Sequence, residues 1–199
     1  MTQALNYLKE TASQTAGPYV HIGLAPGDAG FDIYAQELGH DIAGPNAKGQ
    51  RITVTGIVTD GTGAPVKDVL IEVWQANNAG TYAGHGDVEE GFRGWGRVIP
   101  DFETGEFSFE TVKPGPVTGP DGHVAAPHLN LWLVSRSINT GLNTRMYFHE
   151  EGAANTADPV LNLIEQPDRR ATLVAKGAGA NYRFDISLQG DDETVFFDV

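Results

Sequence analysis

The chain has 199 residues, with 13 Lys and Arg against 26 Asp and Glu, a formal net charge of −13. So negative a balance, with no basic cluster, repels phosphate backbones and anionic headgroups and excludes nucleic-acid binding by the usual electrostatic route. Zero cysteines exclude disulfides, thiolate metal sites and a thiol nucleophile together.

Hydrophobic residues at 40% and charged residues at 20% are globular proportions. The length suits one domain over residues 1–199. No run of 18 apolar residues offers a membrane span. The first 13 residues carry one Lys and no apolar core, so they do not read as a secretory signal. A cytoplasmic location is the default expectation.

In chain order, residues 1–50 show the weakest strand signal and are expected to form an N-terminal arm or loop layer, with a helical turn or two at 33–38. Residues 51–58 alternate apolar and polar side chains, the period of a half-buried strand. They stop at Asp60-Gly-Thr-Gly63, a tight turn. Further strands are predicted at 69–74, 105–112, 128–134, 144–148, 182–188 and 193–197, with short helical turns at 159–164 and 167–174. The 25 glycines and 11 prolines provide the turns that so many short strands require. Seven strands at this spacing predict an all-β fold. Its expected form is an antiparallel β-sandwich over 51–199, with the arm and a few short helices attached.

The six histidines, at 21, 40, 85, 123, 128 and 149, form no His-x-His or His-Glu-x-x-His pattern. His123 and His128 come nearest to a ligand pair, but a histidine opening an apolar strand is more often a buried, hydrogen-bonded residue. No nucleophile elbow, phosphate-binding loop or dinucleotide fingerprint occurs. The paired carboxylates Glu89-Glu90 and Asp191-Asp192 read as solvated turns. Hydrolase, kinase and dehydrogenase readings therefore lose their support. Four segments stand out: residues 14–23 around Gly17-Pro18-Tyr19, residues 71–82 ending in Tyr82, residues 111–117 with Lys113-Pro-Gly-Pro116, and residues 125–130 with Pro127-His128. Each is explicable singly as turn chemistry.

In their order and spacing these segments resemble the intradiol ring-cleaving dioxygenases. The resemblance runs from Thr15-Ala-Gly-Pro-Tyr19 through Trp74-Gln-Ala-Asn77 and Lys113-Pro-Gly115 to Leu161-Asn-Leu-Ile-Glu-Gln-Pro167 and Glu193-Thr-Val-Phe-Phe-Asp198. It is closest to the alpha chain of the two-chain members, which cleave 3,4-dihydroxybenzoate with O2 between its hydroxyl-bearing carbons. In the family's catalytic chains two tyrosines and two histidines hold Fe(III), whose ferric state suits hard phenolate donors. The resemblance carries the first tyrosine onto Tyr82 and the first histidine onto His128. It carries the second tyrosine onto Val117, the second histidine onto Asn130 and the motif's arginine onto Ala125. Two of four ligands are thus replaced. This implies no metal site and no catalytic residue in this chain, with Tyr82 and His128 left as locally hydrogen-bonded remnants.

The resemblance implies instead that Fe(III) is bound by a homologous beta chain, with which this chain forms a hetero-oligomer. It further implies that Thr15, Gly17, Pro18, Tyr19 and Arg136 line that partner's substrate site. A guanidinium at position 136 would meet a substrate carboxylate through charge-assisted hydrogen bonds. On the residues alone, Arg136 reads rather as a surface cation at a strand end, and Tyr19 as an interface aromatic. Two alternatives stay open. One is a stand-alone β-sandwich module that binds small aromatic acids; the other is an active dioxygenase using Tyr82 and His128 with His123 or His85.

Overall fold

The computed structural model describes residues 15–17, 19–35, 41–136 and 138–198. In chain order these form α1 (Val20–Leu24), β1 (Arg51–Thr59), β2 (Leu70–Trp74), β3 (Trp95–Val98), β4 (Glu106–Val112), β5 (Val117–Thr118) and β6 (Val124–Ala125). They continue as β7 (His128–Val134), β8 (Leu142–Phe148), α2 (Gly152–Ala157), α3 (Pro167–Ala171), β9 (Val174–Ala178), β10 (Asn181–Arg183) and β11 (Ile186–Ser187). Single 3₁₀ turns occupy His149–Glu151 and Leu161–Leu163.

The alternation predicted for β1 is realised: Ile52, Val54, Gly56 and Val58 are buried while Thr53, Thr55 and Ile57 between them are not. The same period places Leu129, Leu131 and Leu133 of β7 inside, with Asn130 and Trp132 facing out. Two layers result. One runs β4-β1-β10-β9, the other β8-β7-β2-β3, and a short parallel pairing of β8 with β9 joins them at one edge. Between them lies the main core, with Ile52, Val54, Phe107, Phe109 and Phe184 from the first layer against Ile71, Val73, Leu131, Met146 and Phe148 from the second. Each such side chain contributes about 1.5–3 kcal/mol on burial. Gly56 lies at the centre of β1, where a Cβ would stand 2.0 Å from the Phe184 carbonyl oxygen and 2.6 Å from Phe107 Cζ, so only glycine admits the neighbouring strand.

The fold is all-β, as expected, with three refinements. Pairings of β1 with β10, of β1 with β11 and of β8 with β9 are parallel within an otherwise antiparallel arrangement. The strand expected over 182–188 divides into β10 and β11, and the one expected over 193–197 is reduced to a bridge between Asn143 and Phe197. The segment 31–35 is not helical, and 36–40 lie outside the described residues, so the helix expected at 33–38 is not found in the part described. Among the described residues no helix is long and apolar enough to cross a membrane.

Candidate functional site

Three of the four segments that stood out in the sequence, 71–82, 111–117 and 125–130, converge at the N-terminal end of β7. Asn77 ends β2's extension and caps the following turn, its Oδ1 accepting from the amides of Ala79 (3.1 Å) and Thr81 (2.9 Å). Gly80 sits in that turn at φ +82°, and a Cβ there would meet the Pro116 carbonyl oxygen at 1.9 Å. The Trp74-Gln-Ala-Asn77 and Lys113-Pro-Gly115 segments are thereby locked together. Gly115 donates its N–H to the Asn77 carbonyl (3.0 Å), and the buried Gln75 donates Nε2–H to the Val112 carbonyl (2.9 Å) while accepting from Thr111 (2.6 Å).

This frame delivers Tyr82 to His128. His128 donates Nδ1–H to the Ala126 carbonyl (2.7 Å), which leaves Nε2 to accept from the Tyr82 hydroxyl (3.3 Å). Asn130 Nδ2 donates to the Tyr82 oxygen (2.8 Å) and to the Trp74 carbonyl (3.2 Å). Burial, reinforced by the Arg145 cation, lowers the pKa of His128 to about 4, so the ring is neutral. Burial also raises the phenol of Tyr82, against the opposing pull of the Asn130 hydrogen bond and of Arg145. Val117 and Ala125 face each other as register partners of the β5–β6 hairpin. The donor set does not fit a ferric ion. Tyr82 and His128 use their ligating atoms on each other, Asn130 turns an N–H inward, and Val117 offers nothing. Among the described residues no three His, Asp or Glu side chains gather as a metal site.

Behind this network stands a polar centre that sequence reading missed. Asp158 is fully buried and accepts from the amides of Ala126 (2.8 Å), Val160 (2.9 Å) and Leu161 (2.8 Å) and from the Tyr147 hydroxyl (3.1 Å). It ties the entry to β7 to the 3₁₀ turn at Leu161–Leu163. Its signal in sequence, an Asp-Pro after a short helical stretch, is common to many unremarkable turns.

The predicted substrate-binding residues lie at the other end of β7, roughly 25 Å away at about 3.3 Å per strand residue. Thr15 donates its hydroxyl to the Ser135 carbonyl (3.3 Å), bringing the N-terminal segment onto the end of β7. Gly17 and Arg136 line one recess of about 330 Å³, together with His21, Phe31, Asp68 and Phe102. Pro18 lies outside the described residues. Tyr19, immediately before α1, is 78% exposed. Arg136 Nε donates to Asp68 Oδ2, while the Ser135 hydroxyl donates to Asp68 Oδ1 (3.2 Å). One carboxylate thus aims the guanidinium, whose side chain remains 60% exposed. His21 is buried beneath the recess with its Nε2 unpartnered among the described residues; burial lowers its pKa, partly opposed by Asp68. Neither Asp68 nor His21 was legible as a site residue, since each borrows its meaning from a segment distant in sequence.

The dioxygenase family model matches residues 31–190. The chain is 49% identical over 198 residues to the protocatechuate 3,4-dioxygenase alpha chain of Pseudomonas putida, covering 98% of each. It is 34% identical over 182 residues to the protocatechuate 3,4-dioxygenase beta chain of Burkholderia cepacia, over 80% of this chain and 77% of that one. Among solved structures, 3-chlorocatechol 1,2-dioxygenase from Rhodococcus opacus superposes with a TM-score of 0.58 at 21% identity, over 79% of this chain and 67% of that one. A likeness at that identity speaks for a shared fold.

Proposed function

This chain belongs to the intradiol ring-cleaving dioxygenases, and from that membership we propose that it is the alpha subunit of a two-chain enzyme that opens 3,4-dihydroxybenzoate with O2 to 3-carboxy-cis,cis-muconate. The observation that carries the reading is the contrast between the two ends of β7. At one end the ligand positions are closed by their own hydrogen bonds. At the other, Gly17 and Arg136 converge on an open recess. Fe(III), held by a homologous beta chain in a cytoplasmic hetero-oligomer, supplies the activation of the catechol toward O2. The single unit over residues 1–199, with its first 50 residues as an arm, supplies part of the substrate's walls.

Arg136 meets the substrate carboxylate. Its Nε is committed to Asp68, so the rest of the fork is presented in a fixed plane and little side-chain entropy is lost on binding. Gly17, with nothing within 4 Å of where a Cβ would stand, lets the backbone approach the ring closely. Thr15 anchors that approach to Ser135. Tyr19 offers its exposed ring to the partner's side of the pocket.

Arg136→Ala in the co-purified alpha–beta enzyme tests this. Loss of a charge-assisted contact of about 1.5–3 kcal/mol should raise KM about tenfold or more, with iron content and the phenolate-to-iron absorption unchanged. Unchanged KM and kcat would remove Arg136 from the site. A lone chain that binds iron stoichiometrically and is itself coloured would overturn the assignment of iron to the partner.

A further inference from the structure

The recess at Arg136 leaves unexplained a larger cavity on the outer face of the β3-β2-β7-β8 layer. It encloses about 700 Å³, within the range of small-molecule sites, and its walls include Trp74, Trp95 and Trp132. These are all the tryptophans of the chain. The sheet register explains the gathering. One cross-strand row reads Trp95, Trp74, Asn130, Arg145; the next reads Arg97, Glu72, Trp132, Asn143. All eight positions share the face turned from the core, and Val160, Leu163 and Phe197 close the sides.

The charges in this cavity are unequal. Glu72 is neutralised by Arg97 at 2.8 Å, and that guanidinium lies 4.8 Å over the Trp95 ring. Arg93, Arg97, Arg136, Arg169 and Arg183 each hold a carboxylate. Arg51 and Arg170 bond carbonyl oxygens instead, and Arg145, beside the Tyr147 hydroxyl, holds no carboxylate among the described residues, in a chain with twice as many acids as bases. Asp198, at the rim, makes no ion pair with it. A cation without an ion-pair partner among the described residues, set at the end of a row that begins with two indoles, is the complement of a planar ring bearing a carboxylate.

We infer that this cavity is a second, non-catalytic binding site for a small aromatic carboxylate, with the carboxylate on Arg145 and the ring against Trp74 and Trp132. The site is separate from the Arg136 recess and does not depend on its assignment.

The test uses the iron-free full-length chain titrated with 4-hydroxybenzoate, followed by tryptophan fluorescence and by calorimetry. Since every indole lines the cavity, occupancy should give saturable one-site quenching. Phenol, which lacks the carboxylate, should bind at least about tenfold more weakly. Arg145→Gln should weaken 4-hydroxybenzoate by a similar factor with the circular dichroism spectrum unchanged. The phenol comparison needs no variant and decides the matter even if that one fails to fold. Absence of saturable binding, equal affinity for the two ligands, or an unchanged affinity in Arg145→Gln would overturn the inference. So would loss of the signal in Arg136→Gln, which would place the ligand in the other recess.

Discussion

His128 makes the folded chain acid-sensitive in a defined window. Its Nδ1–H is committed to the Ala126 carbonyl, and its Nε2 already accepts the Tyr82 proton. A second proton on the ring would have to be placed beside an oxygen that receives Asn130, within the field of Arg145. The folded pKa of about 4 lies below the ordinary 6.5, so the sign is fixed. Above pH 6.5 both folded and unfolded chains carry a neutral ring and the contribution is complete. As pH falls from 6.5 towards 4, the unfolded chain takes up a proton that the folded one refuses, and stability is lost. The depression corresponds to about 3 kcal/mol over that window, or about 6–12 °C in Tm for a domain of this size. Urea midpoints at a series of pH values, for the wild type and for His128→Gln, isolate the effect because the carboxylates are common to both. The variant's curve should be flatter between pH 6.5 and 4 by that amount. Parallel curves, or a His128 ring resonance titrating near 6.5, would refute the reasoning.

Asp68→Asn in the alpha–beta enzyme keeps the hydrogen bond from Ser135 but loses the charge that aims Arg136; KM should rise about three- to tenfold with kcat retained, and steady-state kinetics showing no change would dismiss Asp68 as a positioning residue. Tyr82→Phe deprives His128 Nε2 of its donor while Asn130 keeps the Trp74 carbonyl, so chemical denaturation should report a loss of about 1–3 kcal/mol. Gly56→Ala forces a methyl group within 2.0 Å of the Phe184 carbonyl oxygen and should cost about 3 kcal/mol or more; a variant with the wild-type denaturation midpoint would mean that β1 and its neighbour can separate without penalty.

Strands with a clean period were readable from the sequence: the segments expected at 51–58, 69–74, 105–112, 128–134 and 144–148 fall on β1, β2, β4, β7 and β8. β3 escaped because its four residues, Trp95-Gly-Arg-Val98, mix glycine and charge and are held as a strand by pairing with β2. β9 escaped because 167–174 was read as helix, whereas only Pro167–Ala171 is helical and Val174 already belongs to the parallel seam with β8. α1 lies where an irregular arm was expected; five residues are too few to show a helical period. At the remnant site, the local hydrogen bonding of Tyr82 and His128 was legible because the motif fixes their spacing, but Asn130 bonds the Tyr82 oxygen and the Trp74 carbonyl, while His128 bonds Tyr82 and the Ala126 carbonyl. Arg145 was not. A lone arginine within Thr-Arg-Met-Tyr reads as an ordinary outward residue of a strand, and its significance comes from the register that sets it beside Asn130 and one row from Trp132.

The pairing of β1 has a consequence for how the protein comes into being on the ribosome. Thr53 pairs with Asn181 and Val58 with Ile186, so one side of β1 finds its neighbour only in chain made more than a hundred residues later. Until then β1 and β4 can form their antiparallel pair but present an open edge, and the apolar faces of both layers lack the strands that complete them. Such long-range closure is slow and leaves the nascent chain adhesive for much of its synthesis. Truncated products that stop before residue 181 should therefore be recovered as aggregates or bound to chaperones, never as a stable half-sandwich.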